Sequence, residues 1–285
     1  MAEPRGPGIT KEHALLAGWD PHEPVPAFIY RPPDGDKLPV ILFTHGLGRD
    51  KEFYADRLVS LASAGFLVIA IDDFLHGERR EGSVFPPHMG DLVAPQAVWV
   101  HQTCVSRTAL DVGRIIEQLD SIDRADPSRL GLVGVSMGGD AALVATACQP
   151  RVSAVVTFVS AADAWWDVTR LPPGPERDAR QAGYSPRLRQ LVHSLDPTQH
   201  AEQMHPRAVL MMNAGRDPAI EPRSVEPYIA RLRSLYGADA GRVGFVVEPE
   251  AGHKVTDTMW PRMIDWVVRY VKDVPTVRPG SGRPG

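Results

Sequence analysis

The chain has 285 residues, enough for one large α/β domain or two small ones, and because no stretch divides it cleanly we expect one domain. Hydrophobic residues make up 43% and charged residues 23% of the chain, with a formal net charge of −4, as in an ordinary globular protein. It has no long basic run, which argues against a nucleic-acid partner, and no apolar stretch of about 18 residues, which argues against a membrane-spanning helix.

Cysteine usage and the N-terminus indicate the compartment in which the chain works. Residues 1–6 lack the apolar core of a signal peptide. The chain has two cysteines, Cys104 and Cys148, and both fall in predicted helices. We expect both to be buried free thiols, which favours a cytoplasmic location.

Short apolar runs alternate with longer helical patterns along the chain, which is typical of a mostly parallel sheet flanked by helices. Strands are expected at residues 25–30, 38–44, 66–72, 130–133, 152–159, 208–213 and 243–248. Helices are expected at residues 50–64, 96–120, 140–148, 222–236 and 257–272. Residues 73–95 are rich in glycine, proline and charge and predict a loop.

Residues 161–206 interrupt this alternation with little strand character. They contain Trp165, Trp166 and a Pro-Pro-Gly-Pro run, and an insertion of this length is more often functional than not. We interpret them as a cap over the functional site. The expected organisation is an N-terminal extension at 1–24, one domain at 25–274 and a disordered tail at 275–285.

A glycine-flanked serine directly follows the apolar run at residues 130–133. Residues 134–139 read Gly-Val-Ser-Met-Gly-Gly, the pattern of a nucleophile elbow between a strand and a helix. The turn is so sharp that side chains at Gly134 and Gly138 would clash with the strand and the helix. The pattern therefore predicts Ser136 as a nucleophile whose hydroxyl stands above the sheet.

A base and an orienting carboxylate are expected downstream, in the order that this pattern implies. His253 follows the last predicted strand, behind the flexible Gly252, and can take and return the proton of the serine. Asp217 follows the preceding strand, where it can accept from the other imidazole nitrogen. Asp163, after the strand at 152–159, is the alternative acid.

A tetrahedral intermediate also needs two N–H donors for its oxyanion. Met137, next after the predicted nucleophile, supplies one backbone N–H. Leu47 is the natural second donor, because Gly46 and Gly48 permit the sharp turn that exposes its N–H. We expect His45 to brace this loop rather than to react.

These motifs together resemble those of the α/β-hydrolase superfamily, over nearly all of residues 25–272. The branch they resemble is the dienelactone-hydrolase-like group of small bacterial carboxylesterases, with its prolyl-oligopeptidase relatives. The motifs are His45-Gly46, residues 72–79, residues 134–139, Gly215-Arg216-Asp217 and Gly252-His253. The resemblance implies an α/β-hydrolase fold and a serine-dependent hydrolase of small to medium esters, acting through an acyl-enzyme without metal or cofactor.

One departure limits what the resemblance carries over. True dienelactone hydrolases use a cysteine nucleophile, whereas this chain has Ser136, so their substrate is not transferred. Two alternatives stay open: a serine peptidase of the prolyl-oligopeptidase-like group, and a non-catalytic fold that binds a ligand. No convincing acidic pair for a peptide amino terminus is visible in the sequence. The expected partner is a small-molecule ester.

Several further residues could contact a substrate or could only support the fold. Trp165 and Trp166 either pack the cap or bind the acyl or alcohol part of a substrate, and Trp99 and Met89 are weaker candidates. His76 and Arg79 are expected to belong to a structural turn in which Asp72 bonds backbone N–H groups.

Overall fold

The strands of the described chain form a single twisted sheet. The computed structural model describes residues 8–80, 95–169 and 171–273. Within them eight strands pair in the order β1-β2-β4-β3-β5-β6-β7-β8. They are β1 Thr10–Leu16, β2 Val25–Arg31, β3 Leu38–Thr44, β4 Leu67–Ile71, β5 Ala125–Val135, β6 Val152–Phe158, β7 Ala208–Ala214 and β8 Val243–Glu248.

Pairing directions confirm the predicted, mostly parallel sheet. β1 pairs antiparallel with β2 and β2 antiparallel with β4, whereas the pairs from β4 through β3, β5, β6 and β7 to β8 are parallel. β3, β4 and β7 are buried along their whole length, as expected for apolar strands covered on both faces. Parallel strands end at a common edge, so the loops that follow β3, β5, β7 and β8 come together.

Helices cover both faces of the sheet. They are α1 Ala55–Ser63, α2 Pro95–Gln118, α3 Met137–Cys148, α4 Trp166–Thr169, α5 Pro175–Ala182, α6 Pro186–Leu195, α7 Pro222–Tyr236 and α8 Met259–Val267. One core lies between α2, α3 and α7 and the first face, and a second core lies between α1 and α8 and the other face. None of the described helices is long and apolar enough to cross a membrane.

The cap segment (residues 161–206) is helical where it is described. It contains α4, α5, α6 and a 3-10 helix at Pro197–Met204. A small apolar cluster joins the segment to α2: Val98 of α2 is buried together with Ala164, Val168, Tyr184, Leu188 and Val192. The amide of Gln102 on α2 also donates to the carbonyl of Ala164 at 3.2 Å. The segment is therefore fixed to the body through α2, and its role as a cap stays a prediction.

The N-terminal residues add a strand that the sequence analysis did not predict. The sequence pattern assigns residues 10–16 to an N-terminal extension. In the structure they form β1 at one edge of the sheet, with Thr10 opposite Arg31 and Leu16 opposite Val25. Most of its residues are exposed, including the charged residues Lys11 and Glu12. An edge strand of this kind lacks an apolar alternation and so gives no pattern to detect.

The prediction for the cysteines is half wrong. Cys104 is buried, but Cys148 is exposed. Cys148 is the last residue of α3, whose C-terminal end reaches the surface while the preceding turns are buried. The predicted tail at 275–285 and the candidate Met89 lie outside the described residues.

Candidate active site

Ser136 occupies a strained turn between β5 and α3. Its φ is +52° and its ψ −122°, and its N–H donates to the carbonyl of Phe158 at 2.8 Å. A Cβ on Gly134 would lie 2.4 Å from the carbonyl oxygen of Gly138, and one on Gly138 would lie 2.3 Å from that of His45. Only glycine fits at both positions, as the motif predicts.

Three side chains that are distant in the sequence meet at this turn. His253 Nε2 lies 2.9 Å from Ser136 Oγ, and His253 Nδ1 lies 2.7 Å from Asp217 Oδ2. Because an ionised carboxylate only accepts, Nδ1 carries the proton and donates to Asp217. Nε2 is then free to accept from the serine hydroxyl. The structure thus joins all three predicted residues in one hydrogen-bonded chain.

The carboxylate of Asp217 is fixed by backbone as well as by the imidazole. Its Oδ1 accepts from the N–H groups of Ala219 at 2.8 Å and Ile220 at 3.0 Å, and the side chain is fully buried. The alternative acid, Asp163, instead accepts from the N–H of Trp165 at 2.7 Å. Burial raises the pKa of the Asp163 carboxyl. It is Asp217 that contacts the imidazole.

The loops that carry Asp217 and His253 are bonded to each other. The N–H of Gly215 donates to the carbonyl of Glu248 and that of Arg216 to the carbonyl of Ala251, both at 2.8 Å. A Cβ on Gly215 would lie 2.5 Å from the carbonyl oxygen of Pro249, so the two loops approach closely. This cross-bonding follows from the parallel pairing of β7 with β8.

Both predicted oxyanion donors belong to backbone beside the serine. Met137 is the first residue of α3, so its N–H has no acceptor within the helix. A Cβ on Gly46 would lie 3.5 Å from the Cβ of Ser136, which places the loop after β3 against the nucleophile. A turn in which the N–H of Arg49 donates to the carbonyl of Gly46 at 3.1 Å encloses Leu47.

His45 braces this loop, as the sequence analysis predicts. Its Nε2 accepts from the N–H of Asp73 at 3.1 Å, so the proton is on Nδ1, which donates to the carbonyl of Gly46 at 2.9 Å. Complete burial lowers the pKa of His45 to about 3, and the ring stays neutral. The hydroxyl of Thr44 adds a bond to the carbonyl of Gly138 at 2.8 Å, which ties the loop to the elbow.

The segment at 72–79 is a structural turn organised by Asp72, as predicted. The carboxylate of Asp72 accepts from the backbone N–H groups of Lys51 and Glu78, both at 2.9 Å. Arg79 pairs with Asp111 of α2 at 2.8 Å.

Lys51 is not among the residues predicted from the sequence. Its ammonium group lies 2.7 Å from Asp72. A lysine so close after a glycine-rich turn is a signal that could have drawn attention to it.

The predicted substrate residues are only partly described. Trp165 stacks on Tyr184, with ring centroids 5.7 Å apart, and lines a small cleft of about 350 Å³. A larger cleft of about 630 Å³ lies between the cap segment and α7, and none of the three hydrogen-bonded residues lines either cleft. Substrate contact by Trp165 therefore stays a prediction. The side chain of Trp166 lies outside the described part, and Trp99 is 42% exposed.

Metal ligands do not cluster in the part of the chain that is described. No group of three or more His, Cys, Asp or Glu side chains there could hold a metal ion.

Comparison with known proteins identifies a family. The sequence model of the dienelactone hydrolase family matches residues 25–254. A Bacillus subtilis protein named putative esterase YitV is 23% identical over 247 residues, which cover 82% of this chain and 90% of that protein.

Solved structures share the fold. TT1662 from Thermus thermophilus superposes with a TM-score of 0.71 at 21% identity, covering 93% of this chain and all of that one. The acylaminoacyl peptidase of Pyrococcus horikoshii gives 0.69 at 16% identity, covering 95% of this chain but 43% of the peptidase.

The packing of the elbow predicts the effect of one methyl group. Gly138→Ala would place a Cβ against the backbone of β3, so we expect the free energy of unfolding to fall by about 1–3 kcal/mol or more. Urea denaturation followed by circular dichroism measures this. Gly241→Ala, where an added Cβ meets nothing within 4 Å, is the control. Equal unfolding free energies for the two variants would contradict the prediction.

Proposed function

The chain belongs to the dienelactone hydrolase family of the α/β-hydrolase superfamily, and from this premise we propose that it is a serine-dependent carboxylesterase. The family and the esterase-named relative support a hydrolase of the esterase type. The observation that supports a serine-dependent carboxylesterase in particular is the hydrogen-bonded chain from Ser136 through His253 to Asp217. The proposed substrates are small to medium esters.

Acylation begins at the serine hydroxyl. His253 Nε2, 2.9 Å from Ser136 Oγ, removes the proton as the oxygen attacks the ester carbonyl. The imidazolium that forms is stabilised by the buried carboxylate of Asp217, 2.7 Å from Nδ1. His253 then returns the proton to the departing alcohol, and the acyl group remains on the serine.

Backbone N–H groups stabilise the negative charge that develops on the carbonyl oxygen of the substrate. The N–H groups of Leu47 and Met137 are the proposed donors, and the positive end of the α3 dipole adds to them. Water activated by His253 then releases the acid by the same steps in reverse. The proposed chemistry uses the residues of this chain and one water molecule.

Removing the nucleophile tests the proposal. We expect Ser136→Ala to lower kcat/KM for p-nitrophenyl acetate by at least about 10³-fold, because the variant lacks the oxygen that would carry the acyl group. Ser121→Ala, an exposed serine before β5, is the matched control and should keep full activity. Hydrolysis that survives in Ser136→Ala, or a wild-type protein that a fluorophosphonate does not label at this serine, would reject the esterase and favour a ligand-binding role.

A second pair of variants identifies the acid. Asp217→Asn should lower kcat by about 10³- to 10⁴-fold, since the amide favours the wrong tautomer of His253. Asp163→Asn, the matched change at the alternative carboxyl, should alter kcat by less than about tenfold. Steady-state kinetics on the same ester measures both losses of kcat. A larger loss in Asp163→Asn than in Asp217→Asn would assign the acid role to Asp163.

A peptidase is the second candidate, favoured by the structural likeness to the acylaminoacyl peptidase. This chain corresponds to 43% of that protein, so the likeness does not extend over the peptidase's whole length. We expect kcat/KM for p-nitrophenyl acetate to exceed that for acylaminoacyl p-nitroanilides by more than about 100-fold. A preference for the anilides would make the peptidase the better assignment.

A further inference from the structure

The loop that carries the Leu47 donor needs support at both ends. An oxyanion donor helps only if it is already aimed before the charge develops, so its loop must not relax. The first end, at β3, is held by the bond from the Thr44 hydroxyl to Gly138 and by the buried ring of His45. The other end is held by a different kind of contact.

A buried ion pair closes the far end of the loop. The ammonium group of Lys51 lies 2.7 Å from Asp72 Oδ2, and the backbone N–H of Lys51 donates to Asp72 Oδ1 at 2.9 Å. Lys51 is 5% exposed and Asp72 is fully buried. Asp72 follows β4, so the pair bonds the loop after β3 to the end of the neighbouring strand.

Neighbouring groups restrict both side chains. Lys51 also donates to Glu78 at 2.6 Å, and its ammonium group lies 4.9 Å from the ring centre of Phe28. Burial lowers the pKa of Lys51, but hydrogen bonds to the carboxylates of Asp72 and Glu78 outweigh it and raise the pKa above its ordinary value. A Cβ on Gly77 would lie 2.1 Å from the Asp72 carboxylate, so glycine at this position lets the turn at residues 72–79 close around that carboxylate.

We propose that Asp72 and Lys51 are positioning residues, which hold the loop at residues 44–51 so that the Leu47 N–H points at the oxyanion. This inference rests on the proposed esterase function and adds two residues to it. In this proposal neither side chain touches the substrate. Their effect on the reaction passes through the backbone of the loop, so it falls on the transition state and not on substrate binding.

The chain contains a matched control for this pair. Lys11 on β1 lies 2.7 Å from Glu52 and 3.7 Å from the centre of the same Phe28 ring, but it does not contact Asp72. Glu52 is 64% exposed, and an ion pair of this kind contributes little. Lys11→Met therefore removes a lysine from the same neighbourhood without releasing the loop.

The test compares Asp72→Asn, Lys51→Met and Lys11→Met in the full chain. For the first two we expect kcat for p-nitrophenyl acetate to fall about 10- to 100-fold, below the effect of losing a whole oxyanion donor, with KM within about twofold. The inhibition constant of an alkyl trifluoromethyl ketone, which forms a tetrahedral adduct on serine, should rise by the factor by which kcat/KM falls. Lys11→Met should match the wild type.

Two further measurements separate positioning from general damage. The pH at which kcat/KM is half-maximal, which reports the histidine, should not move, because the bonds of His253 are untouched. Lys51→Arg should recover part of kcat. Lys51→Met leaves the buried carboxylate of Asp72 without its ammonium partner, whereas Lys51 in Asp72→Asn keeps Glu78. The double variant Lys51→Met/Asp72→Asn therefore serves as the variant without that penalty. If the pair positions the loop, kcat of this double variant stays low. If its only role is charge balance, kcat of the double variant returns to the wild-type value.

The outcomes are distinguishable from failure of the proposed function. If the wild type and Ser136→Ala hydrolyse the ester equally, the esterase proposal fails and this one with it. If Ser136→Ala is inactive while folded Asp72→Asn, Lys51→Met and the double variant all keep wild-type kcat and inhibition constants, only the positioning role is overturned. An equal loss in Lys11→Met would overturn it too.

Discussion

The turn between β5 and α3 closes only because the backbone packs against itself at two glycines, and the candidate site is arranged around that contact. A Cβ at Gly134 or Gly138 would lie within 2.4 Å of a backbone oxygen. The oxygen that Gly138 faces belongs to His45, in the loop after β3. The strained φ of Ser136 persists because these neighbours leave the chain no alternative. Nucleophile and oxyanion loop are thus parts of one packed unit.

The parallel sheet brings the other groups to this turn. Ser136 and His253 are 117 residues apart, yet β5 and β8 end at the same edge of the sheet. Asp217 follows β7, which pairs directly with β8, and backbone bonds hold the two loops together. The buried pair of Lys51 and Asp72 does the same for the loops after β3 and β4. Contacts between neighbouring loops therefore hold the site together with the contacts within each loop.

Much of the framework could be predicted because it depends on local pattern. The helix expected at 222–236 matches α7, and the strands expected at 38–44 and 152–159 match β3 and β6 to within one residue. A continuous apolar run predicts a strand that is buried on both faces, and such strands are therefore the easiest to predict from the sequence. β1 was not predicted because its residues are mostly exposed and form no continuous apolar run. The exposure of Cys148 depends on where α3 ends relative to the surface.

The sequence by itself determined the elbow, the order Ser136, Asp217, His253, and the mostly parallel sheet. Each of these depends on a glycine spacing or on an apolar run followed by one polar residue. Only the tertiary structure decided that the imidazole contacts Asp217 and not Asp163, and that Lys51 lies buried against Asp72. Both acids follow predicted strands, so local pattern favours Asp217 but leaves Asp163 as an alternative. The choice depends on which loops meet at the edge of the sheet, and that is set by the strand order.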